Sequence, residues 1–306
     1  MTRLLLLLSL FFLSCSKKHK LQDTILLPHY PSSSGIACFN KQIYITGDDA
    51  KHLLILDSNF LIKDSVTLYS YTENKLHKTT KPDLESITIT TTNKLLILGS
   101  GSSMPYRNAG WLIDPVSKQK DSLRLDTFYQ RLKNNWLEEI NIEGVCAIPG
   151  NMILSNRGNK KNRKNFLILT KKDFWTNQTD APVSLIRVGV NTDSTVFNGV
   201  SGLDYSNTSD RLLLTISTED TRNSIDDGTI GKSYIWIVEN ISAKKRWRAI
   251  NPDKIIDLEE IDHRFKGQKI ESVCILAESE KSFTLLLAAD NDNGSSALFR
   301  VIISKE

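Results

Sequence analysis

The sequence predicts an all-β fold: a β-propeller of five blades, with six the alternative, each blade a four-stranded antiparallel sheet. Two observations predict it. A short motif recurs five times along the chain, and the same order of strand-forming runs follows each copy.

The motif copies are Ser34-Gly35-Ile36-Ala37-Cys38, Glu85-Ser86-Ile87-Thr88-Ile89, Glu143-Gly144-Val145-Cys146-Ala147, Ser201-Gly202-Leu203-Asp204-Tyr205 and Glu271-Ser272-Val273-Cys274-Ile275. Their second residues, Gly35, Ser86, Gly144, Gly202 and Ser272, lie 51, 58, 58 and 70 positions apart. Familiar propeller repeats run to roughly 40–50 residues, so loop insertions account for the excess. Within each copy the third and fifth positions are mostly apolar, and the second and fourth are small or polar. That alternation suits an innermost strand where blades crowd a common axis.

Three further sets of runs complete the repeat. Second strands are expected at 42–46, 95–98, 152–154, 212–216 and 283–288, and third strands at 53–56, 111–113, 166–169, 234–238 and 297–303. Fourth strands follow at 62–68, 122–125, 183–188 and 254–258. The fifth repeat runs out of chain before its fourth strand, so residues 23–27 are expected to supply it and close the ring. Two helical interruptions are predicted, at 126–140, where Phe128, Leu132 and Trp136 recur at helical spacing, and at 258–265.

The amino terminus reads as an export signal. Arg3 precedes an apolar run from Leu4 to Leu13, about half of what a bilayer-spanning helix needs. The run ends at Phe12-Leu13-Ser14-Cys15, which looks like a bacterial lipobox. Residues 1–14 are therefore expected to be a signal peptide, Cys15 the lipidated first residue of a membrane-anchored lipoprotein, 15–22 a tether and 23–306 a single propeller domain. More than one acyl chain gives stable anchoring where one is marginal. Lys17, Lys18 and Lys20 make the tether basic, and no acidic sorting signal follows Cys15. A periplasm-facing position on the outer membrane is expected.

The chain has 39 Lys and Arg against 35 Asp and Glu, and Arg3, Lys17, Lys18 and Lys20 all precede Leu21. The body is thus balanced in charge, which argues against a nucleic-acid partner; the run Lys160, Lys161, Arg163, Lys164 reads as a solvated loop. With Cys15 lipidated, Cys38, Cys146 and Cys274 remain, an odd number, and buried free thiols are expected.

Several segments carry a resemblance: Lys81-Pro82-Asp83-Leu84-Glu85, Ile142-Glu143-Gly144, Asn156-Arg157-Gly158-Asn159, and Glu219-Asp220-Thr221 followed by Asp226-Asp227-Gly228. Together they resemble an uncharacterised family of bacterial β-propellers that is itself similar to the propellers labelled "esterase-like activity of phytase". The resemblance implies the architecture and a ligand face, and leaves the chemistry open.

Propeller topology says which polar residues can meet. Loops that enter innermost strands and loops that leave second strands open on one face. The first kind brings Glu85, Glu143 and Glu271; the second brings Asp48, Asp49, Arg107, Asn108, Arg157, Asn159, Glu219, Asp226, Asp227 and Asp290. These form the candidate ligand-binding set, expected to face a solvent-accessible channel mouth. The competing reading is structural, with loop Asp and Asn capping turns and each Glu holding blades together. The run Asp290-Asn291-Asp292-Asn293-Gly294 opens like a calcium loop but lacks the bidentate Glu at its twelfth position.

No zinc-protease motif is present, and Gly99-Ser100-Gly101-Ser102-Ser103 lacks the order of a nucleophile elbow. Two functional readings remain. One is a binding module that presents its mouth to a polar small molecule, glycan or partner protein. The other is a metal-dependent hydrolase of phosphate or carboxylate esters, in which the acids hold a divalent cation such as calcium.

Overall fold

The computed structural model describes residues 18–72, 77–78, 80–189, 197–219, 230–290 and 294–306. It is a five-bladed propeller. Blade 1 comprises β2 (Ser33–Phe39), β3 (Gln42–Gly47), β4 (His52–Asp57) and β5 (Ile62–Thr67), and blade 2 comprises β6 (Leu84–Ile89), β7 (Leu95–Gly99), β8 (Ala109–Ile113) and β9 (Lys120–Arg124). Blade 3 contains β10 (Ile142–Ile148), β11 (Asn151–Asn156), β12 (Asn165–Lys171) and β13 (Ser184–Val188). Blade 4 contains β14 (Asn198–Ser206), β15 (Arg211–Glu219), β16 (Ile230–Glu239) and β18 (Lys254–Asp257). Blade 5 is β19 (Ile270–Glu278), β20 (Ser282–Asp290), β21 (Ser296–Ser304) and, from the other end of the chain, β1 (His19–Leu27).

The closing strand pairs antiparallel with β21, Leu27 opposite Ser296 and His19 opposite Ile303. It begins at His19, so residues 19–22 belong to the sheet and not to the tether. One unexpected strand, β17 (Ala249–Ile250), leaves the span between β16 and β18 and pairs parallel with β13, giving blade 3 a fifth strand.

The core lies between blades, in five apolar clusters, one at each blade junction including that of blades 5 and 1. Strand alternation explains this. In β7, Leu95 and Ile97 pack toward blade 1 while Leu96 and Leu98 pack toward blade 3. Both faces are covered, so second strands read as unbroken apolar runs.

The innermost strands adjoin in ring order β2, β6, β10, β14, β19. Their crowding demands small residues. A Cβ on Gly202 would lie 2.6 Å from the Glu271 carbonyl oxygen and 2.8 Å from Ser272 Cα, in the next blade.

Helix α1 (Asp126–Asn135) is shorter than predicted and buries Phe128, Tyr129 and Leu132. Trp136, expected on that face, is exposed at the helix end. Tyr129 takes its place and donates to the Gly99 carbonyl at 2.8 Å. The second interruption forms as a single turn, α2 (Leu258–Ile261), followed by a 3-10 turn over His263–Phe265. Among the described residues no helix is long and apolar enough to cross a membrane.

The cysteine expectation is corrected. Cys38 and Cys274 form a disulfide, and among the described residues only Cys146 is a buried free thiol. Ring closure makes blades 1 and 5 neighbours, which brings β2 and β19 side by side with the two Cα atoms 6.4 Å apart.

Candidate functional site at the charged channel mouth

The motif residues reach the channel through a repeated backbone device. Each pairing of an innermost strand with its second strand slips by one residue near its start: between Ser33 and Gly35, Leu84 and Ser86, Ile142 and Gly144, Val200 and Gly202, and Ile270 and Ser272. The skipped residues are Ser34, Glu85, Glu143, Ser201 and Glu271. A β-bulge leaves its extra residue outside the ladder and re-aims its side chain. The motif's first position is therefore a bulge in all five blades.

Around Glu85, charges from blades 1 and 2 interlock. The Lys81 ammonium contacts Asp48, lies 3.3 Å from Asp83 and 3.7 Å from Asp49. Arg107 donates to Asp83 at 2.6 Å, to Ser102 Oγ at 2.8 Å and to the Lys78 carbonyl at 2.6 Å. Ser100 Oγ also donates to Asp83.

Blades 3, 4 and 5 build a second group on Arg157. Its guanidinium lies 3.1 Å from Glu219 and 3.8 Å from both Glu143 and Glu271, and it donates to Ser217 Oγ at 3.0 Å. Lys269 bridges Glu271 at 2.9 Å and Glu219 at 3.6 Å, and Asn141 donates to Glu143 at 2.6 Å. Gly199 leaves the room that the guanidinium occupies, since a Cβ there would fall on it.

Among the described residues, seven carboxylates (Asp48, Asp49, Asp83, Glu85, Glu143, Glu219, Glu271) thus stand against four cations (Lys81, Arg107, Arg157, Lys269). The imbalance and burial together act on the protons. Burial, only partly offset by Arg157 and aggravated by Glu271, pushes Glu143 up to about 8. Burial, then Asp83 and Glu143, raises Glu85 well above the ordinary carboxylate range. Glu271 and Asp83 are raised chiefly by burial. Burial opposes the charge of Lys81 and of Arg157, but the surrounding acids outweigh it and keep both protonated.

The expected set is therefore largely assembled, but packed rather than open. Arg107, Glu143, Arg157, Glu219 and Glu271 are all buried, and Glu85 is partly so. Two expected members serve loops instead. Asn108 donates to Asp126 at 3.1 Å beside the start of α1. Asn159 donates to Glu139 at 2.6 Å and accepts the backbone N–H groups of Lys161 and Asn162. Asp290 is buried at the end of β20, and Asp226 and Asp227 lie outside the described residues, as do 291–293 of the calcium-like run.

Sequence reasoning missed Asp83, Asn141 and Lys269 as site residues. Each stands two positions before a bulge Glu, separated from it by a fully buried aliphatic residue, Leu84, Ile142 or Ile270. That polar-apolar-Glu pattern was the available signal.

Carboxylate oxygens of Asp48, Asp83 and Glu85 lie within 4.8 Å of one another, a spacing that can hold a metal ion. Asp48 Oδ1 and Glu271 Oε2 are buried and make no hydrogen bond among the described residues. Against this, the Lys81 ammonium already neutralises Asp48 and Asp83, so an incoming ion must displace it or share the acids.

Fold and site define a five-bladed β-propeller with a buried, carboxylate-rich ring at one mouth of its axial channel. Residues 29–303 match a family of unknown function (DUF6929), and the chain belongs to that family. A search of curated proteins gives no match. Among solved structures, the chain is similar to glutaminyl cyclase from Myxococcus xanthus, at 9% identity and a TM-score of 0.54, over 94% of this chain and 97% of that one. It is also similar to a catalytically inactive virginiamycin B lyase from Staphylococcus aureus with quinupristin, at 12% identity and a TM-score of 0.46, over 92% and 99%. At these identities the likeness concerns the fold.

Proposed function

We propose that the protein is a lipid-anchored binding module of the cell envelope whose charged mouth receives a ligand carrying positive charge. The carrying observation is the bulge in every blade, which takes Glu85, Glu143 and Glu271 out of the ladder and into a cluster where, among the described residues, seven carboxylates meet four cations. Like charges held together out of water raise one another's pKa, and an added cation relieves that strain. A divalent cation such as calcium, at Asp48, Asp83 and Glu85, or the cationic group of a polar small molecule, glycan or protein suits this chemistry.

Thermal-shift titration of the mature protein with calcium, magnesium, zinc and small organic amines tests the reading, because a ligand that binds only the folded state stabilises it by mass action. A saturable rise for a cation, reduced in Glu85→Gln or Glu143→Gln, is expected. No rise, or the same rise in wild type and both variants, removes it. The phytase-like resemblance adds the hydrolase reading, in which a metal held by the same acids activates water. Turnover of phosphate or carboxylate esters that requires both metal and Glu85 would favour it over a binding module. Anchoring is tested separately: Cys15→Ala should abolish fatty-acid labelling and release the protein from membranes.

A further inference from the structure

The fold fixes which face of the ring the anchor can reach. β1 starts at His19 opposite Ile303, near the end of β21, on the same edge as the β19–β20 turn and opposite to Glu271. Three residues lie between Cys15 and His19, so the tether, four Cα–Cα steps, reaches about 13 Å at full extension. With the anchor in place, the face opposite the charged mouth lies against the membrane.

A basic aromatic turn leaves β16 on that edge of the ring, at the junction of blades 3 and 4. Between β16 and β17 the chain reads Lys244-Lys245-Arg246-Trp247-Arg248, and Arg246, Trp247 and Arg248 are exposed, the Trp by 53%. Lys244 stands 5.4 Å from the Trp247 ring. Downstream, Lys254 donates to the Ser304 carbonyl at 2.9 Å, and the Ser304 N–H donates to His19 Nδ1 at 3.1 Å. These contacts tie β18 to the first residue of β1, whereas the turn itself packs against blade 3, where Lys245 donates to the Pro149 carbonyl at 2.9 Å in the β10–β11 turn and the Arg187 N–H donates to the Arg248 carbonyl at 2.9 Å. Val116, in the β8–β9 turn of the same face, is 81% exposed.

We infer that the Lys244–Arg248 turn docks on the anionic headgroups of the bilayer that holds the lipid, with Trp247 at the interface and the charged mouth turned away. The docking rests on the lipoprotein reading for its orientation. Its chemistry is independent of the acyl chains. Arginine near an anionic surface gains electrostatically, and an amphipathic Trp favours the headgroup boundary.

The test uses the chain from Ser16, which lacks any acyl group yet retains every strand of the ring. It is sedimented with vesicles of phosphatidylethanolamine and phosphatidylglycerol, or of phosphatidylcholine alone, in 0.1 M salt. Binding to the first and not the second is expected. Arg246→Glu with Arg248→Glu should weaken it at least about 25-fold, from roughly fivefold per cation. Arg163→Glu with Lys164→Glu, on the charged-mouth face, should leave it unchanged. Equal binding to neutral vesicles, equal loss in both variants, or equally tight binding to a DNA duplex overturns the inference. Palmitate labelling of the native protein separates the two readings. Labelled protein whose unlipidated form ignores anionic vesicles defeats the docking alone; unlabelled protein whose turn still binds them defeats the anchor and with it the orientation.

Discussion

The two mouths of the channel are made by the same five strands and differ in almost every chemical respect. Where the innermost strands begin, bulges interrupt the ladder and Glu85, Glu143 and Glu271 turn inward among Lys81, Arg107, Arg157 and Lys269. Where they end, aliphatic residues, the Cys38–Cys274 disulfide and one acid, Asp204, line a cavity of about 160 Å³. Each oxygen of Asp204 accepts one strand N–H, from Tyr205 at 2.8 Å and from Ile275 at 2.7 Å. The comparison teaches that one end of each strand is built for packing and the other departs from regular pairing to gather charge. Departures of that kind are where function is sought.

The largest effect should follow from Arg157→Met. It strips the central cation from Glu143, Glu219 and Glu271, and breaking a buried charge network by removing one partner costs on the order of 3–5 kcal/mol. Denaturant unfolding measures it; a loss below about 1 kcal/mol would mean that water reaches the network and compensates for the missing guanidinium. At the opposite mouth, Cys38→Ser with Cys274→Ser should cost about 2–4 kcal/mol, because the bridge closes a loop with a sequence separation of 236. Intact-mass analysis before and after reduction reports the bond itself. A pair of free thiols in protein purified without reductant would contradict it.

Gly202→Ala probes the strand between the mouths. Its new methyl meets backbone of blade 5 at 2.6 and 2.8 Å, and overpacking of this kind costs about 1–3 kcal/mol. A neutral result in thermal melts would show that the ring can widen.

The subtlest contrast is in pH dependence. Glu143, raised to about 8, keeps a proton in the native state that an unfolded chain with the ordinary value of 4.5 has lost. Its contribution to stability is complete below 4.5 and disappears as pH rises through 8. Asp204 behaves likewise between 3.8 and about 6, raised by burial. Glu143→Gln should flatten the upper part of the stability profile and Asp204→Asn the lower. If neither variant changes its own window, the two mouths do not titrate as separate sites.

The sequence by itself determined the propeller, because five copies of one motif and both-face apolar second strands are local patterns. It also placed Glu85, Glu143, Glu271, Arg107 and Arg157 at one face, since topology alone decides which loops open together. Tertiary structure decided the rest. The bulges depend on register between strands, so the burial of the charge ring was not readable from residue types. The partners Asp83, Asn141 and Lys269 acquire their roles only when neighbouring side chains are positioned. The Cys38–Cys274 bridge joins residues 236 positions apart, and its pairing follows from ring closure, a property of the whole chain and of no segment within it.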